Sequence, residues 1–488
     1  MLPGDVGKGI LEMKPEIKRA VQEVDVKGWK EIPVEFGDGF LELSVPPDCV
    51  NLSMKDVAAL ADPRSSIEEA LSRPIGSPTI EEIVRSKRQP SSRTTAAVAV
   101  SDITRPVPYK GDKAILLPLL KRLEASGVRR QNITIIVGTG MHRPSTAAEK
   151  AEMFGEPIIR DFRVIDHDCE DLDSLTYMGK TEKQTDVYIN AAFFSADVRI
   201  VTGLVESHFM AGVSGGRKAV CPALVDRRTI EKFHGPGFLE SPCADNLILA
   251  GNPCHEEALD VARTVGVDFT VNVTLDKNMR LTGVFAGHLE ESHLEAFRFM
   301  KAYAAIPLDR DYDIVLTHGG YVGRNHYQTA KAGCSALPAV KSGGTIIIAA
   351  DNRDREPVGS SLYRDLLGRL KTLGVEGYLK MITDPAWSFT KDQWEPEVWG
   401  RVLRKVGETG LIYCSLQIPP AEFSRLPGLS GHDFIEEGEA LSGREGARVM
   451  VQNALLYVFS KHQKEGRHPF TAVIREGPYG VPVLQQSS

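Results

Sequence analysis

Imidazoles, cations and a carboxylate gather in three short segments punctuated by glycine or proline: Ser101-Asp-Ile-Thr-Arg-Pro106, Gly138-Thr-Gly-Met-His-Arg-Pro144, and a run from Gly203 to Lys218. The third contains Glu206-Ser-His208 and Ser214-Gly-Gly-Arg-Lys218. His142 and His208 are side chains that give or take a proton near neutral pH. Lys218 suits a carboxylate or phosphate, Arg105 and Arg143 add further cations to the same rim, and Asp102 can orient an arginine or an imidazole. Each also has an ordinary explanation, since an Asp after a strand often caps a helix and an Arg is commonly a surface charge.

The glycine-rich stretches are compatible with more than one chemistry. Gly138-Thr-Gly140 could turn backbone amides toward an anion, but Arg143 replaces the third glycine of a dinucleotide fingerprint. Gly212-Val-Ser-Gly-Gly-Arg-Lys218 is not a P-loop, because Arg217 stands at the second glycine and Ala219 follows the lysine. It matches G-x-S-x-G, which would make Ser214 a hydrolase nucleophile if a strand led directly into it. Alternatively it is a backbone nest opening a helix, with Arg217 and Lys218 adding positive charge for an anion. Lys218 is also a candidate nucleophile, provided its surroundings disfavour the ammonium form. His234, in Phe233-His-Gly-Pro236, is a candidate metal ligand. Further on, Tyr327, Gln328 and Lys331 share one helical face.

These residues need strands to place them. Apolar runs recur at Ala97–Val100, Ile133–Val137, Val198–Val201, Ile314–Leu316 and Thr345–Ala350. They alternate with helical patterns at Lys113–Ala125, Leu362–Leu373 and Val398–Glu408, as in βα units with a largely parallel sheet. In such sheets ligands bind beyond the carboxyl ends of the strands, where the three segments fall. Glu12–Val24 reads as a helix, Val34–Val45 as a hairpin about Gly-Asp-Gly, and Pro427–Gly431 as a surface loop. A boundary falls near 305, where the helix Ser292–Ala305 meets a polar, proline-containing connector. The expectation is α/β: two α/β domains with largely parallel sheets and an interdomain active-site cleft. Residues 1–305 form the cofactor-binding and catalytic domain, and 306–488 close over the substrate, the last helix being able to pack back on the first domain.

A length of 488 residues suits two or three domains at ~150 each. With 58 Lys and Arg against 65 Asp and Glu, the chain carries a net charge of −7, which argues against a nucleic-acid or anionic-membrane surface. The beginning of the sequence lacks a secretory pattern, no apolar run reaches ~18 residues, and seven scattered cysteines form no C-x-x-C. The cytoplasm is the expected compartment.

Taken together, Ser-Asp-Ile-Thr-Arg-Pro (101–106), Gly-Thr-Gly-Met-His-Arg-Pro (138–144), His208 with Ser-Gly-Gly-Arg-Lys (214–218), and Tyr-Gln-Thr-Ala-Lys (327–331) resemble the nickel-dependent lactate racemase family. The resemblance spans roughly residues 30 to 420. It implies a racemase or C2-epimerase of a 2-hydroxy acid, acting by proton-coupled hydride transfer through a 2-keto acid. The implied cofactor is a nickel-pincer nucleotide, covalently attached through Lys218, with His234 as nickel ligand and Asp102, Ser214, Gly215 and Gly216 beside it. His142 and His208 become the catalytic pair on opposite sides of the substrate. Arg105, Tyr327, Gln328, Lys331 and Trp394 become substrate-binding residues. The implied partners are cofactor-synthesis proteins. The chain departs from the family in its longer termini, the polar turn Arg324-Asn-His326 and the sequence around His234. Lactate, longer or dicarboxylic hydroxy acids and aldonates all remain open as substrates. A non-catalytic binding or accessory protein and the Ser214 hydrolase are the alternative functions.

Overall fold

The computed structural model describes residues 13–87, 90, 92–111, 113–436 and 443–484. They form two units, one of Lys55–Ala304 and one that joins the segment up to Met54 with Ala305 onward.

The first unit is built on a six-stranded sheet. Its spatial order is Leu281–Gly287, Phe269–Leu275, Val198–Leu204, Ala96–Ser101, Ile133–Gly138 and Arg163–Asp166. All neighbours are parallel except the first pair. Ala96–Val100 is apolar and buried without alternation, as a parallel strand covered on both faces must be. The helix Leu116–Ala125 turns Leu116, Leu119, Leu120 and Leu123 into the core, the i, i+3, i+4, i+7 spacing of one helical stripe.

From Ala96–Ser101 the chain winds outward through Ile133–Gly138 and Arg163–Asp166, then returns to the other side at Val198–Leu204. The reversal separates the carboxyl ends of two adjacent strands, the usual position of a ligand crevice. A buried chain of hydroxyls spans it. Thr202 Oγ1 donates to the Ala99 carbonyl at 2.9 Å, so Tyr109 Oη donates to Thr202 Oγ1 at 2.7 Å while accepting the Ser101 amide at 2.8 Å.

The second unit carries its own parallel sheet, in the order Leu429–Ser430, Leu411–Cys414, Val340–Ala349, Tyr312–His318, Thr471–Ile474 and Val50–Leu52. The boundary near 305 is where the sequence places it, but the segment up to Met54 groups with the second unit. The cause is long-range pairing: Val50–Leu52 lies parallel to Thr471–Ile474, and the hairpin Lys30–Phe36/Gly39–Val45 packs on the helix Gly443–Lys464. Gln452 of that helix grips the strand at both ends of its amide, accepting the Ser44 N–H at 2.8 Å and donating to the Ser44 carbonyl at 2.9 Å.

Other expectations shift locally. The helix sought at Leu362–Leu373 runs as Ser361–Thr383, broken at Gly374 (φ 69°). The helix expected from Glu12 is Pro15–Glu23, and Glu12 and Met1–Ile10 lie outside the described residues. The turn-like Pro427–Gly431 is largely buried and contains an edge strand, and a side chain at Gly428 would lie 2.6 Å from the Leu411 carbonyl. Among the described residues no helix is long and apolar enough to cross a membrane.

Replacing Gln452 by Ala removes both bonds to Ser44 and should cost about 1–3 kcal/mol, read from urea unfolding. An unchanged midpoint would show that the hairpin is not anchored by this helix.

Candidate active site

The loop after Ala96–Ser101 carries Asp102 and Arg105. Asp102 is buried, and its Oδ1 accepts the Thr104 amide at 3.1 Å and the Thr104 hydroxyl at 2.5 Å, an Asx turn that fixes the carboxylate. Its Oδ2 meets Nδ1 of His142 at 2.6 Å. Burial pushes the Asp102 carboxyl up, but the hydrogen bond and charge of His142, then Thr104 and Arg105, outweigh it and hold the group below its ordinary value. The group is therefore a carboxylate, and the Nδ1–H of His142 donates to it. Of the two partners expected for Asp102, the imidazole is the one directly bonded. Arg105 lies against Glu206 instead (Nε to Oε1, 3.4 Å), and its Nη1 donates to the Thr104 carbonyl at 3.3 Å.

His142 stands on a tight turn after Ile133–Gly138. The Gly140 amide donates to the Ala223 carbonyl at 3.1 Å, and a Cβ on Gly138 would lie 2.9 Å from that of Ala223. The turn is thus docked on the chain segment that follows Lys218. Arg143, expected on the same rim, reaches outward to pair with Glu149.

His208 and Lys218 come together directly. His208 lies on the short ladder Ser207–His208/Gly212–Val213, where its Nδ1 accepts the amides of Met210 at 3.2 Å and Ala211 at 3.3 Å. Its Nε2 is 2.7 Å from Lys218 Nζ, which lies 5.8 Å above the Phe233 ring. Phe233 ends the helix Arg227–Phe233, whose C-cap is His234. Burial pushes the His234 imidazole down to about 3, and Lys218 and His142 act in the same direction when charged. A neutral imidazole is the form that can give a nitrogen lone pair to a soft metal. Among the described residues no group of three or more His, Cys, Asp or Glu is placed to hold a metal ion. A nickel ion here would therefore draw most of its donors from a prosthetic group, and one imidazole beside an amine fits that arrangement.

The turn from Ser214 to Lys218 corrects two readings. The Ser214 hydroxyl donates to the Leu204 carbonyl at 2.6 Å and accepts the Glu206 amide at 3.0 Å, so it splices the turn to the end of a strand rather than serving a hydrolase. Gly216–Ala219 is a single 3-10 turn and opens no α-helix. Gly215 and Gly216 have positive φ, and a Cβ on Gly216 would meet the His293 ring at 2.7 Å. The Gly216 amide is already given to Asn272 Oδ1 at 2.9 Å. Arg217, expected to face an anion, is buried: Nη2 donates to the Ala211 carbonyl at 2.7 Å and Nη1 lies 3.0 Å from His293 Nε2. Burial lowers this guanidinium to about 9. Glu206, Asn272 and His293 were not singled out in the sequence, where only the position of Glu206 two residues before His208 drew notice.

In the second unit, Tyr327, Gln328 and Lys331 lie on the helix His326–Ala336, capped by Asn325. Trp394, the buried first residue of the helix Trp394–Val406, hydrogen-bonds the Tyr327 hydroxyl. The next residue, Glu395, was missed by sequence reasoning. It is buried, and desolvation raises its carboxyl to about 8 against the opposing charge of Lys331, with Asp392 adding to the rise. Tyr327 and Tyr363 are the phenols that feel its charge.

An acid whose folded-state pKa is raised supports the folded state fully below its unfolded value, and this contribution is lost as pH climbs through the folded value. For Glu395 that window runs from 4.5 to about 8. Stability of the parent relative to Glu395→Gln should therefore fall across this window, by on the order of a few kcal/mol. Parallel pH–stability curves for the two would contradict the assignment.

Comparison with known proteins bears on the family and the fold. The model of the lactate racemase N-terminal domain matches residues 36–245, and that of the C-terminal domain matches 309–420. A lactate racemase of Lactiplantibacillus plantarum is 35% identical over 343 residues, 70% of this chain and 77% of its own. One from Thermoanaerobacterium thermosaccharolyticum is 29% identical over 384 residues, 76% and 83% of the two chains. The structure of the lactate racemase apoprotein from the latter organism superposes with a TM-score of 0.77 at 24% identity, covering 94% of this chain and all of that one. A Thermotoga maritima protein shares the fold at a TM-score of 0.60 and 17% identity, over 87% and 99% of the two chains. With both domain models matched in order, the chain belongs to the lactate racemase family, isomerases that act on hydroxy acids.

Proposed function

We propose that the chain is a nickel-pincer nucleotide-dependent racemase or C2-epimerase of a 2-hydroxy acid: lactate-like, longer or dicarboxylic, or an aldonate. The observation that carries this reading is the cluster of a carboxylate-oriented His142, a His208 bonded to Lys218, and a neutral His234. Lys218 would attach the cofactor and His234 would give its imidazole to nickel. Asp102 lies beside them through His142, while Ser214, Gly215 and Gly216 shape the turn that presents Lys218. When bound, the cofactor supplies a hydride acceptor.

The remaining chemistry belongs to the protein's side chains. Removing the C2 proton outright would place a second negative charge beside the substrate carboxylate. Loss of the hydroxyl proton together with a hydride instead leaves an uncharged ketone beside the carboxylate, so no second negative charge forms. His142, whose Nδ1–H is spent on Asp102, presents Nε2 as the base for that hydroxyl. His208 acts on the opposite face, and the two exchange roles in the reverse direction. Glu206 and the Thr104 carbonyl fix the Arg105 guanidinium, which takes the substrate carboxylate; Lys331 is proposed as a further substrate-binding residue. Tyr327, Gln328 and Trp394 supply further contacts. All seven cysteines are thiols, in keeping with work in the reducing cytoplasm.

Protein made together with cofactor-synthesis proteins should contain stoichiometric nickel and a mass adduct on Lys218, and should invert one of a panel of chiral 2-hydroxy acids. Deuterium at C2 of one isomer should appear at C2 of the other. Wash-out to water would reject hydride transfer, and binding without inversion by the adducted protein would favour the accessory-protein alternative. His142→Ala should lower kcat by on the order of 10²–10⁴-fold, and Asp102→Asn, which leaves the ring without its anchor, by a smaller factor.

A further inference from the structure

A histidine outside every motif singled out in the sequence joins the turn of His142 to the segment between Lys218 and His234. His167, in Asp166-His-Asp168, is buried just beyond the strand Arg163–Asp166. Its amide donates to the Val137 carbonyl at 2.9 Å, and its carbonyl accepts the Thr139 hydroxyl at 2.5 Å. In the ring, Nε2 lies 2.9 Å from the Val225 carbonyl and Nδ1 lies 3.3 Å from Asn190 Nδ2.

These contacts fix one form of the ring. A carbonyl only accepts, so the ring hydrogen sits on Nε2 and Nδ1 keeps its lone pair. Asn190 matches that tautomer, because its Oδ1 accepts the Phe193 amide at 3.1 Å and leaves Nδ2 to donate to the ring. Burial pushes the His167 imidazole below its ordinary value, against the Val225 carbonyl and the charges of Asp168 and Asp226.

Both ends of this brace reach residues of the site. Thr139 begins the turn that carries His142, and the His142 amide returns to the Thr139 carbonyl at 2.9 Å. Val225 belongs to the stretch that runs from Lys218 to His234. Its neighbours dock on the same side of the sheet, the Ala223 carbonyl accepting the Gly140 amide at 3.1 Å and the Leu224 carbonyl accepting the Asn190 amide at 2.9 Å. The His142 side chain is half exposed, so its aim comes from Asp102 and from the backbone of its turn more than from packing.

We propose that His167 is a positioning residue for the isomerisation, holding the turn that aims His142 at a fixed place against the segment that carries Lys218 and His234. This rests on the reading of His142 as the base. In that reading the proton leaves the substrate oxygen and the hydride leaves the adjacent carbon, so the base and the hydride acceptor must keep one spacing. A shift of ~1 Å in such a geometry costs on the order of 10²-fold in rate. The Thr139 hydroxyl is the link to the turn, and the His167 ring is the link to the segment.

Three variants of the full-length chain test the two links. Thr139→Val deletes the hydroxyl at nearly constant shape, His167→Phe deletes both ring bonds, and His167→Gln keeps one donor and one acceptor. Nitrogen-15 spectra of the unloaded, histidine-labelled chain, assigned with His142→Ala, should show the His142 hydrogen fixed on Nδ1 in the parent and in His167→Gln. In Thr139→Val and His167→Phe the His142 signals should move toward the average of a ring exchanging between its tautomers. In nickel-loaded protein, Thr139→Val should lower turnover per bound nickel by on the order of tenfold with KM unchanged, and should cause no further loss in a His142→Ala background. A folded Thr139→Val whose His142 signals match the parent overturns the proposal whether or not His167→Phe folds. So does a loss of turnover that multiplies with that of His142→Ala. Displaced His142 signals in a loaded protein that inverts no 2-hydroxy acid would support the brace and reject the proposed function.

Discussion

One hydrogen bond, between His208 Nε2 and Lys218 Nζ, fixes what the surrounding residues can be. It demands an imidazole whose other nitrogen is occupied by donors, and the turn from Met210 to Gly212 supplies them. That turn in turn demands a glycine of positive φ, an asparagine on one carbonyl and a buried arginine on the next. Burying a guanidinium is costly unless its donors are used, and Arg217 gives Nη2 to the Ala211 carbonyl and Nη1 to the Gly215 carbonyl while its buried Nε has no hydrogen-bond partner among the described residues. Much of the conspicuous motif from Ser214 to Lys218 is therefore scaffolding. Only its last residue offers a reactive atom.

The two histidines are prepared differently. His142 is held from Nδ1 by a carboxylate, leaving Nε2 as a base. His208 is held from Nδ1 by peptide amides, leaving Nε2 as a donor. A reaction in which two groups exchange acid and base roles needs both to come within reach of the same substrate. One of them, His208, lies 2.7 Å from the Lys218 amine.

The strands were legible because a parallel sheet covered on both faces leaves uninterrupted β-branched runs, and Ala97–Val100, Ile133–Val137 and Val198–Val201 each lie inside an observed strand. The loops that follow them, and so Asp102, His142 and His208, could be placed by the same argument. What escaped was pairing over long sequence distance. Nothing in Val50-Asn-Leu52 announces Thr471–Ile474 as its neighbour, and the polarity of Arg217 gave no sign that it would be buried. Glu206 against Arg105 and Glu395 beside Lys331 are likewise contacts between segments whose local patterns are independent. Pro427–Gly431 misled for the opposite reason, since its turn-forming composition serves a close approach to Leu411 instead of a loop in solvent.

The most direct measurement is nitrogen-15 NMR of the unloaded chain labelled at histidine, with His208→Phe and His142→Ala used for assignment. The account predicts an unprotonated, pyridine-type Nδ1 and a protonated, pyrrole-type Nε2 for His208, with the proton of His142 on Nδ1. A His208 ring protonated at both nitrogens, or at Nδ1 alone, would contradict it.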